Sequence, residues 1–334
     1  MDMRELADFY ADSVILVTGA SGTIGSGLVE RLSRFEASTI RILDNNETGL
    51  FDLDQKLRSR KIRMFVGDIR DKARLARAFE GVDVVFHCAA LKHVVLCENN
   101  AFEAAKTNVF GTQNVIEAAL EKEVGGVIFI STDKAVNPYN VMGATKLVAE
   151  RLMLAANQYK GAHRTKFSCV RFGNVLNSRG SVMPIFRNQI ERGGPVTVTH
   201  REMTRFVMTM ADAAELIMTA GATTNGGDIY VPKLKSLNVV DLAQAMIEVL
   251  AVENGYSPSE IKLIEIGKQK GEKMFEELMT EDEAQCACDE GTYFVVNLCK
   301  EARQQKDSSR YSSEEVQNLS KDEIKQLLKK IYRQ

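Results

Sequence analysis

Along the first half of the chain, short apolar runs rich in β-branched residues recur at regular intervals, separated by longer stretches in which apolar positions return with a helical period. The runs are VILVT at 14–18, TIRIL at 39–43, IRMFV at 62–66, VDVVFH at 82–87, GVIFIS at 126–131 and FSCVR at 167–171. Unbroken Val/Ile-rich runs of this length read as strands buried on both faces. The amphipathic stretches at 23–35, about 101–122 and about 142–158 read as helices that cover those faces. This alternation predicts parallel βαβ units in a doubly wound (Rossmann) α/β fold.

After about residue 175 the pattern loosens, and NSRGS, ERGGP and TTNGGD supply turn signals between shorter elements. The expected organisation is a dinucleotide-binding domain over 1–174, a smaller substrate-binding lobe over 175–300, and a tail over 301–334. Later segments partly return to the first sheet. The tail opens with a polar linker and then offers SKDEIKQLLKKI, where Ser320 and Glu323 form a capping-box pattern ahead of a terminal helix.

The 334 residues are 45% apolar and 26% charged with a formal charge of −2, a balance that argues against a polyelectrolyte nucleic-acid binder or a disordered chain. The start, MDMRELADFYADS, lacks the basic and apolar regions of a secretion signal, and no run of about 18 apolar residues follows. A cytoplasmic location without a membrane span is the expectation. The six cysteines, Cys88, Cys97, Cys169, Cys286, Cys288 and Cys299, form no CxxC pair and read as reduced thiols. His87 and His93 flank CAALK without a carboxylate cluster, so no metal site is expected.

VILVTGASGTIGSGLVERL places Gly19, Gly22 and Gly25 after the first strand and at the opening of a helix. There, glycines allow a tight turn, close backbone approach to a pyrophosphate and close helix–strand packing, with the phosphate charge facing the helix N-terminus. Asp44 closes the second strand, nineteen positions after Gly25, where a carboxylate bonds a ribose 2′-hydroxyl and repels a 2′-phosphate. NAD is therefore expected over NADP. Asp68, at the end of the third strand, is placed to meet the adenine edge, with a solvated loop aspartate as the rival reading.

With TGASGTIG, GDIR, HCAALKHV, KTNVFGTQNVI and STDKAVNPYNVMGATK in order, the chain resembles the extended short-chain dehydrogenase/reductase superfamily. Within it, the chain is most similar to the nucleotide-sugar 4,6-dehydratases that act on N-acetylglucosamine nucleotides. The likeness runs from about residue 12 to residue 300, through RFGNVLNSRGSVMPIF, MTRFVMT and GEKMFEELMTEDE, and is to the short form without membrane helices. It implies oxidation at C4 of the sugar, loss of water across C5 and C6, and reduction at C6, with the cofactor recycled. It also implies that Ser21, Thr23, Ile24, Ile69, Ala89, Ala90 and Lys92 join the glycines, Asp44 and Asp68 around the cofactor.

In most relatives a tyrosine four residues before a lysine removes the C4 hydroxyl proton; the matching pair here is Met142 and Lys146. A thioether accepts no proton at ordinary pH. Thr132 is the first candidate for that role and Tyr139 the competitor, with Lys146 as an ammonium that favours an alkoxide and holds the nicotinamide ribose. Asp133 and Lys134 match the family's acid–base pair: Asp133 is to hold a proton for the departing 6-hydroxyl, and Lys134 is to be neutral and take the C5 proton. By the same resemblance Lys92, His93, Asn174, Arg179 and Arg205 contact the nucleotide sugar, Arg205 through a guanidinium fork on the diphosphate. Asn108 is expected to support the site's backbone or to pack helices. Gln269 and Lys270 replace the arginine and proline that usually precede GEK, which leaves both UDP and GDP sugars open, UDP favoured. A homodimer through the helices at 101–122 and 142–158 is expected. Two other readings compete, a nucleotide-sugar 4-epimerase or reductase and a non-catalytic cofactor sensor.

Overall fold

The structure, a computed structural model, describes residues 1–298 and 310–332; Cys299 and the first part of the tail lie outside them. Its centre is a nine-stranded sheet. Strand β1 (Val14–Thr18) pairs in parallel with β2 (Thr39–Asp44) on one side and β4 (Val84–His87) on the other. Beyond β2 lies β3 (Ile62–Val66), and beyond β4 come β5 (Gly126–Ile130) and β6 (Lys166–Val170), all parallel. The order β3-β2-β1-β4-β5-β6 reverses direction between β1 and β4, the topological switch point of a doubly wound fold.

The strand composition follows from burial on both faces. Every residue of β4 and β5 is buried. Along β1, Ile15 and Val17 face one apolar layer, with Leu28 and Val29 of the helix Thr23–Leu32 and Ile217 of the helix Met210–Thr223. Leu16 between them faces the other layer, with Val115 of the helix Gly111–Glu121 and Met153 of the helix Val141–Tyr159. Alternate side chains of one strand thus hold helices on opposite faces.

Three further strands complete the sheet: Ile229–Pro232 runs parallel beside β6, and Tyr293–Val296 and Ala287–Asp289 follow antiparallel. A separate apolar cluster gathers Phe186, Val196, Leu242, Met246 and Ile324, the last from the terminal helix Lys321–Tyr332. Ser320 and Glu323 cap that helix reciprocally: Ser320 Oγ accepts the Glu323 N–H at 3.3 Å, and Glu323 accepts the Ser320 N–H at 2.8 Å.

Two local features differ from the sequence pattern. The polar N-terminus forms a helix, Met3–Tyr10, because Asp2 caps it and Tyr10 is buried, its hydroxyl donating to the Met218 carbonyl at 2.6 Å. The single helix expected at 101–122 is interrupted by a wider π-helical turn at Ala105–Phe110, with the buried Asn108 inside it.

A buried cation ties the C-terminal segment to the sheet. Arg171, immediately after β6, donates through Nε to Glu150 at 2.9 Å and through Nη1 and Nη2 to Glu283 at 2.7 and 2.8 Å, and Nη1 reaches the Leu278 carbonyl at 3.2 Å. Burial raises the Glu283 carboxyl, but its bonds to Arg171 outweigh that and hold it below the ordinary value. A carboxyl depressed in the folded state adds stability above its ordinary value and loses it as pH falls through the folded one. Arg171→Ala, which strands two buried carboxylates, is expected to lower unfolding free energy by about 3–5 kcal/mol. Urea melts should show that loss, and should show wild-type stability declining as pH drops below the ordinary carboxyl value of 4.5.

Candidate active site

The loop after β1 is shaped by contacts only glycine can make. Gly19 has φ +65°, and a Cβ there would stand 2.6 Å from the Ala89 backbone. A Cβ on Gly25 would lie 2.3 Å from the Gly19 carbonyl oxygen, so the helix packs on the turn only because that atom is missing. Gly22 is the N-cap of the helix Thr23–Leu32 and supplies no side-chain acceptor, leaving the first helical N–H groups to an anion. Asp44 accepts the N–H of Ser21 at 2.9 Å and of Asn46 at 3.0 Å, which fixes its carboxylate at the end of β2 beside the loop. These residues fit a dinucleotide.

Around this loop, Asp68 is held well below the usual carboxylate range, first by its hydrogen bonds to Arg70. Ile69 is buried, and its Cδ1 lies 2.6 Å from where a Cβ of Gly111 would stand. Ala89 and Ala90, half-buried, follow β4, and the next residue, Leu91, is clamped by Asn108, which accepts its N–H at 2.8 Å and donates to its carbonyl at 3.0 Å. Asn108 also donates to Thr145 Oγ1 at 3.0 Å, so the one side chain serves both expected roles, site backbone and helix packing.

The segment after Asn174 folds back over the glycine loop. Arg179 donates through its guanidinium to the Ser21 carbonyl at 2.6 Å and through its N–H to Thr23 Oγ1 at 3.1 Å. Lys92 Nζ donates to the Arg179 carbonyl at 2.7 Å, and the His93 ring lies against Gly180. Lys92, His93 and Arg179 therefore meet at the rim of the glycine loop. Asn174 pairs in register with Val207 and is half-buried.

The acid–base turn stands at the C-terminal end of β5. Thr132 caps the short turn Asp133–Ala135 and donates its hydroxyl to Asp133 Oδ1 at 2.7 Å. Lys134 Nζ lies 2.9 Å from that same oxygen and 3.2 Å from Oε1 of Glu276, a residue the sequence reading did not single out. The side chains of Asp133 and Glu276 are 1% and 3% exposed, and that of Lys134 23%. Asp133 Oδ2 and Glu276 Oε2 are buried without a partner among the described residues. The helix behind the turn comes close because of Gly143, whose Cβ would stand 2.2 Å from the Lys134 carbonyl oxygen. Asn140 caps that helix by accepting the Gly143 N–H at 2.8 Å.

The surroundings of three of these residues are set by the fold rather than by local sequence. Burial alone would lower the Lys134 pKa, but Asp133 and Glu276 outweigh it and raise it, so the amine is held charged rather than neutral. Arg205 donates to the carbonyls of Thr204, Lys273 and Met274 at 2.7, 2.9 and 3.1 Å and to Met203 Sδ at 2.8 Å, so its guanidinium braces the segment carrying Glu276. Met142 is buried in a small apolar cluster with Cys97 and Ala104.

Lys146 has the opposite environment to Lys134. Buried, it donates to the Ile130 carbonyl and sits 3.8 Å from the centre of the Phe129 ring, and desolvation brings its pKa down to about 8. Tyr139 precedes the helix and is 65% exposed beside Lys268. His87 is buried between Thr18 and Thr112 at 2.7 and 3.1 Å, and burial lowers it to about 3, a neutral ring bracing β4. Among the described residues no cluster of His, Cys, Asp or Glu has the arrangement of a metal site, and Cys88, Cys97, Cys169, Cys286 and Cys288 are free.

Fold and site together define a doubly wound protein of the Rossmann class, with a dinucleotide loop at its switch point and a Thr-Asp-Lys turn at the end of β5. The chain belongs to the family described as polysaccharide biosynthesis protein, which it matches over residues 15–298. It is 52% identical to an uncharacterized membrane protein of Methanocaldococcus jannaschii over 98% of each chain. Among the described residues of the present chain, no helix is long and apolar enough to cross a membrane. It is 37% identical to a UDP-glucose 4-epimerase of Rickettsia canadensis (86% of this chain, 84% of the relative). It is 36% identical to an inverting UDP-N-acetylglucosamine 4,6-dehydratase of Campylobacter jejuni (85% and 82%). The chain spans only 48% of some longer relatives that are 41–42% identical to it. Among solved structures, Pen from Bacillus thuringiensis superposes with a TM-score of 0.90 at 41% identity, over 98% of this chain and 99% of that one.

Two substitutions separate the loop from the turn. Gly25→Ala forces the helix off the Gly19 carbonyl and is expected to weaken nicotinamide-dinucleotide binding by about tenfold or more, roughly 1.4 kcal/mol, in calorimetric titration. Tyr139→Phe, at an exposed position outside the helix, is expected to leave turnover within about twofold in a progress-curve assay, a change of roughly 0.4 kcal/mol.

Proposed function

We propose that the protein is a nucleotide-sugar 4,6-dehydratase that uses NAD and acts on UDP-N-acetylglucosamine. The carrying observation is the buried cluster Thr132–Asp133–Lys134 with Glu276, an acid–base apparatus larger than hydride transfer alone requires. The dehydratase and epimerase relatives stand at nearly equal identity, so the choice rests on this cluster; a 4-epimerase has no use for an acid at C6 and a base at C5.

Gly19, Gly22 and Gly25 would cradle the pyrophosphate, Asp44 the adenosine ribose and Lys146 the nicotinamide ribose. Bound there, NAD supplies a reversible store for two electrons. The chain's own side chains handle protons. As C4 becomes a ketone, the Thr132 hydroxyl takes the C4 hydroxyl proton while passing its own to Asp133 Oδ1, to which it already donates. Asp133 then delivers that proton to the departing 6-hydroxyl, which leaves as water. The 4-keto group acidifies the C5 proton, and Lys134 removes it. Lys92, His93 and Arg179 offer cationic or polar groups to phosphates at the loop rim, and Asn174 continues that wall.

The pairing surface of a homodimer would be the face bearing Phe102, Phe110, Val148 and Tyr159, all more than 45% exposed.

Incubation with UDP- and GDP-N-acetylglucosamine in deuterium oxide, without added reductant, tests this by NMR. The expected product is a 4-keto-6-deoxy sugar carrying deuterium at C5, formed faster from the UDP sugar. A product with an intact hydroxymethyl group and inverted C4 would establish the epimerase instead, and turnover to either product would discard the sensor. Lys134→Ala is expected to cut both product formation and C5 exchange by about 10²–10⁴-fold.

A further inference from the structure

Lys134 poses a chemical difficulty for this reading: an amine held charged between two carboxylates cannot take a proton. We propose that Glu276 resolves it by accepting a proton from Lys134, so that the two side chains act as one base toward C5. The inference rests on the dehydratase reading and concerns a residue outside the strand-end turn. Glu276 acts through Lys134 and is therefore a positioning residue rather than a catalytic one.

The geometry supports this from three directions. Glu276 Oε1 lies 3.2 Å from Lys134 Nζ, and its other oxygen is buried with no partner among the described residues, so the carboxylate is not committed to a structural network. Its backbone is fixed on both sides: the Glu276 N–H donates to Ser313 Oγ at 3.0 Å, the Ser313 N–H donates to the Glu276 carbonyl at 2.8 Å, and Ser313 Oγ meets Thr204 Oγ1 at 2.8 Å. Arg205, the nearest other cation, keeps its Nε 3.9 Å away and turns its remaining donors to carbonyls. A carboxylate placed against one ammonium, in a pocket where it is 3% exposed, is in position to exchange a proton with it.

The surroundings set when that exchange occurs. Four groups face Glu276: Lys134 and Asp133 from the turn after β5, Arg205 from the strand Thr204–Met208, and Lys273 from its own segment. Burial raises the Glu276 carboxyl above its ordinary value, with Asp133 adding to the rise and the three cations opposing it. Once Asp133 has received the C4 proton it is neutral, and the remaining buried charges are the Lys134 ammonium and the Glu276 carboxylate. Moving one proton between them leaves three neutral groups, which a water-poor pocket favours.

The step balances. An N–H bond of Lys134 breaks and an O–H bond forms on Glu276. The freed lone pair on Nζ takes the C5 proton, the C5–H electrons become the C5–C6 double bond, and the C6–O bond breaks with the oxygen leaving as water on the Asp133 proton. When C6 is reduced, the Lys134 ammonium returns its proton to C5. With Asp133 ionised again, Glu276 gives its stored proton back to the neutral Lys134, which restores the starting state for the next C4 proton.

Glu276→Gln keeps the shape and hydrogen-bonding capacity of the side chain but cannot store the proton. Near neutral pH it is expected to slow C5 deuterium exchange and product formation by about a hundredfold. The ratio of wild-type to variant rate should shrink as the buffer is made alkaline, because Lys134 then loses its proton to solvent. Glu276→Asp, with a carboxylate one methylene further back, should recover about tenfold of the lost rate and keep the wild-type pH profile. NAD binding and the thermal midpoint of each variant serve as controls for folding. A Gln variant as fast as wild type, a rate ratio constant across pH, or an Asp variant no faster than Gln would each overturn the role of Glu276. Wild-type enzyme that forms no 4-keto sugar would overturn the dehydratase reading, and this inference with it; the wild-type spectrum alone tells the two failures apart.

Discussion

Parallel strands end on the same side of a sheet, and this constraint governs where chemistry can sit in the molecule. The ends of β1, β2, β4 and β5 bring the glycine loop, Asp44, the Ala89–Lys92 segment and the Thr132–Lys134 turn to one edge. Close approach there is possible only where side chains are missing. Gly19 admits the backbone after β4, Gly25 lets the first helix reach its turn, and Gly143 lets the helix Val141–Tyr159 touch the Lys134 carbonyl. The last contact matters most for reactivity, since the same helix carries Lys146 under the end of β5.

Two lysines twelve residues apart illustrate how environment divides labour among identical groups. Lys134 has two carboxylates within 3.2 Å and is held charged, whereas Lys146 has a carbonyl and a ring face, and desolvation carries it to about 8. The difference is supplied by the C-terminal segment. Arg171, through Glu283 and the Leu278 carbonyl, pins the stretch containing Glu276 against β6, and Arg205 braces it from the other side through the carbonyls of Lys273 and Met274. The buried guanidinium of Arg171 and the half-buried one of Arg205 thus both hold backbone of the C-terminal segment in place.

What could be read from sequence was whatever local pattern controls. Val/Ile runs are strands because a strand buried on both faces admits little else, and the glycines after β1 are legible because spacing alone defines the turn. Ser320 and Glu323 cap the last helix for an equally local reason. Glu276 was not legible: it lies far along the chain from Lys134, and its inward orientation is visible only as an alternation with the buried Leu278 at the entry of the short strand Glu277–Met279. The charge on Lys134 was misjudged for the same reason, because its sign depends on that distant carboxylate. Arg205 was read by residue type as a phosphate fork, and only the fold shows its donors already engaged. Met142 was read for its chemistry, and only the fold shows its packing against Cys97 and Ala104.

The unmatched oxygens of Asp133 and Glu276 bear on what the cleft prefers to bind. A buried acceptor left without a donor costs about 1–3 kcal/mol, and both of these oxygens belong to carboxylates that share one ammonium. Hydrophobic ligands would leave that cost in place, and anions would add to it, because the nearest cation is already shared by two carboxylates. A hydroxyl donor brought to either oxygen would relieve it. Under the proposed function, the hydroxyls of a pyranose would meet this cluster, and the phosphates of the same molecule would meet Lys92, His93 and Arg179 at the glycine-loop rim. The arrangement therefore separates groups by charge, with Lys92, His93 and Arg179 at the rim of the glycine loop and the Asp133–Lys134–Glu276 cluster further in.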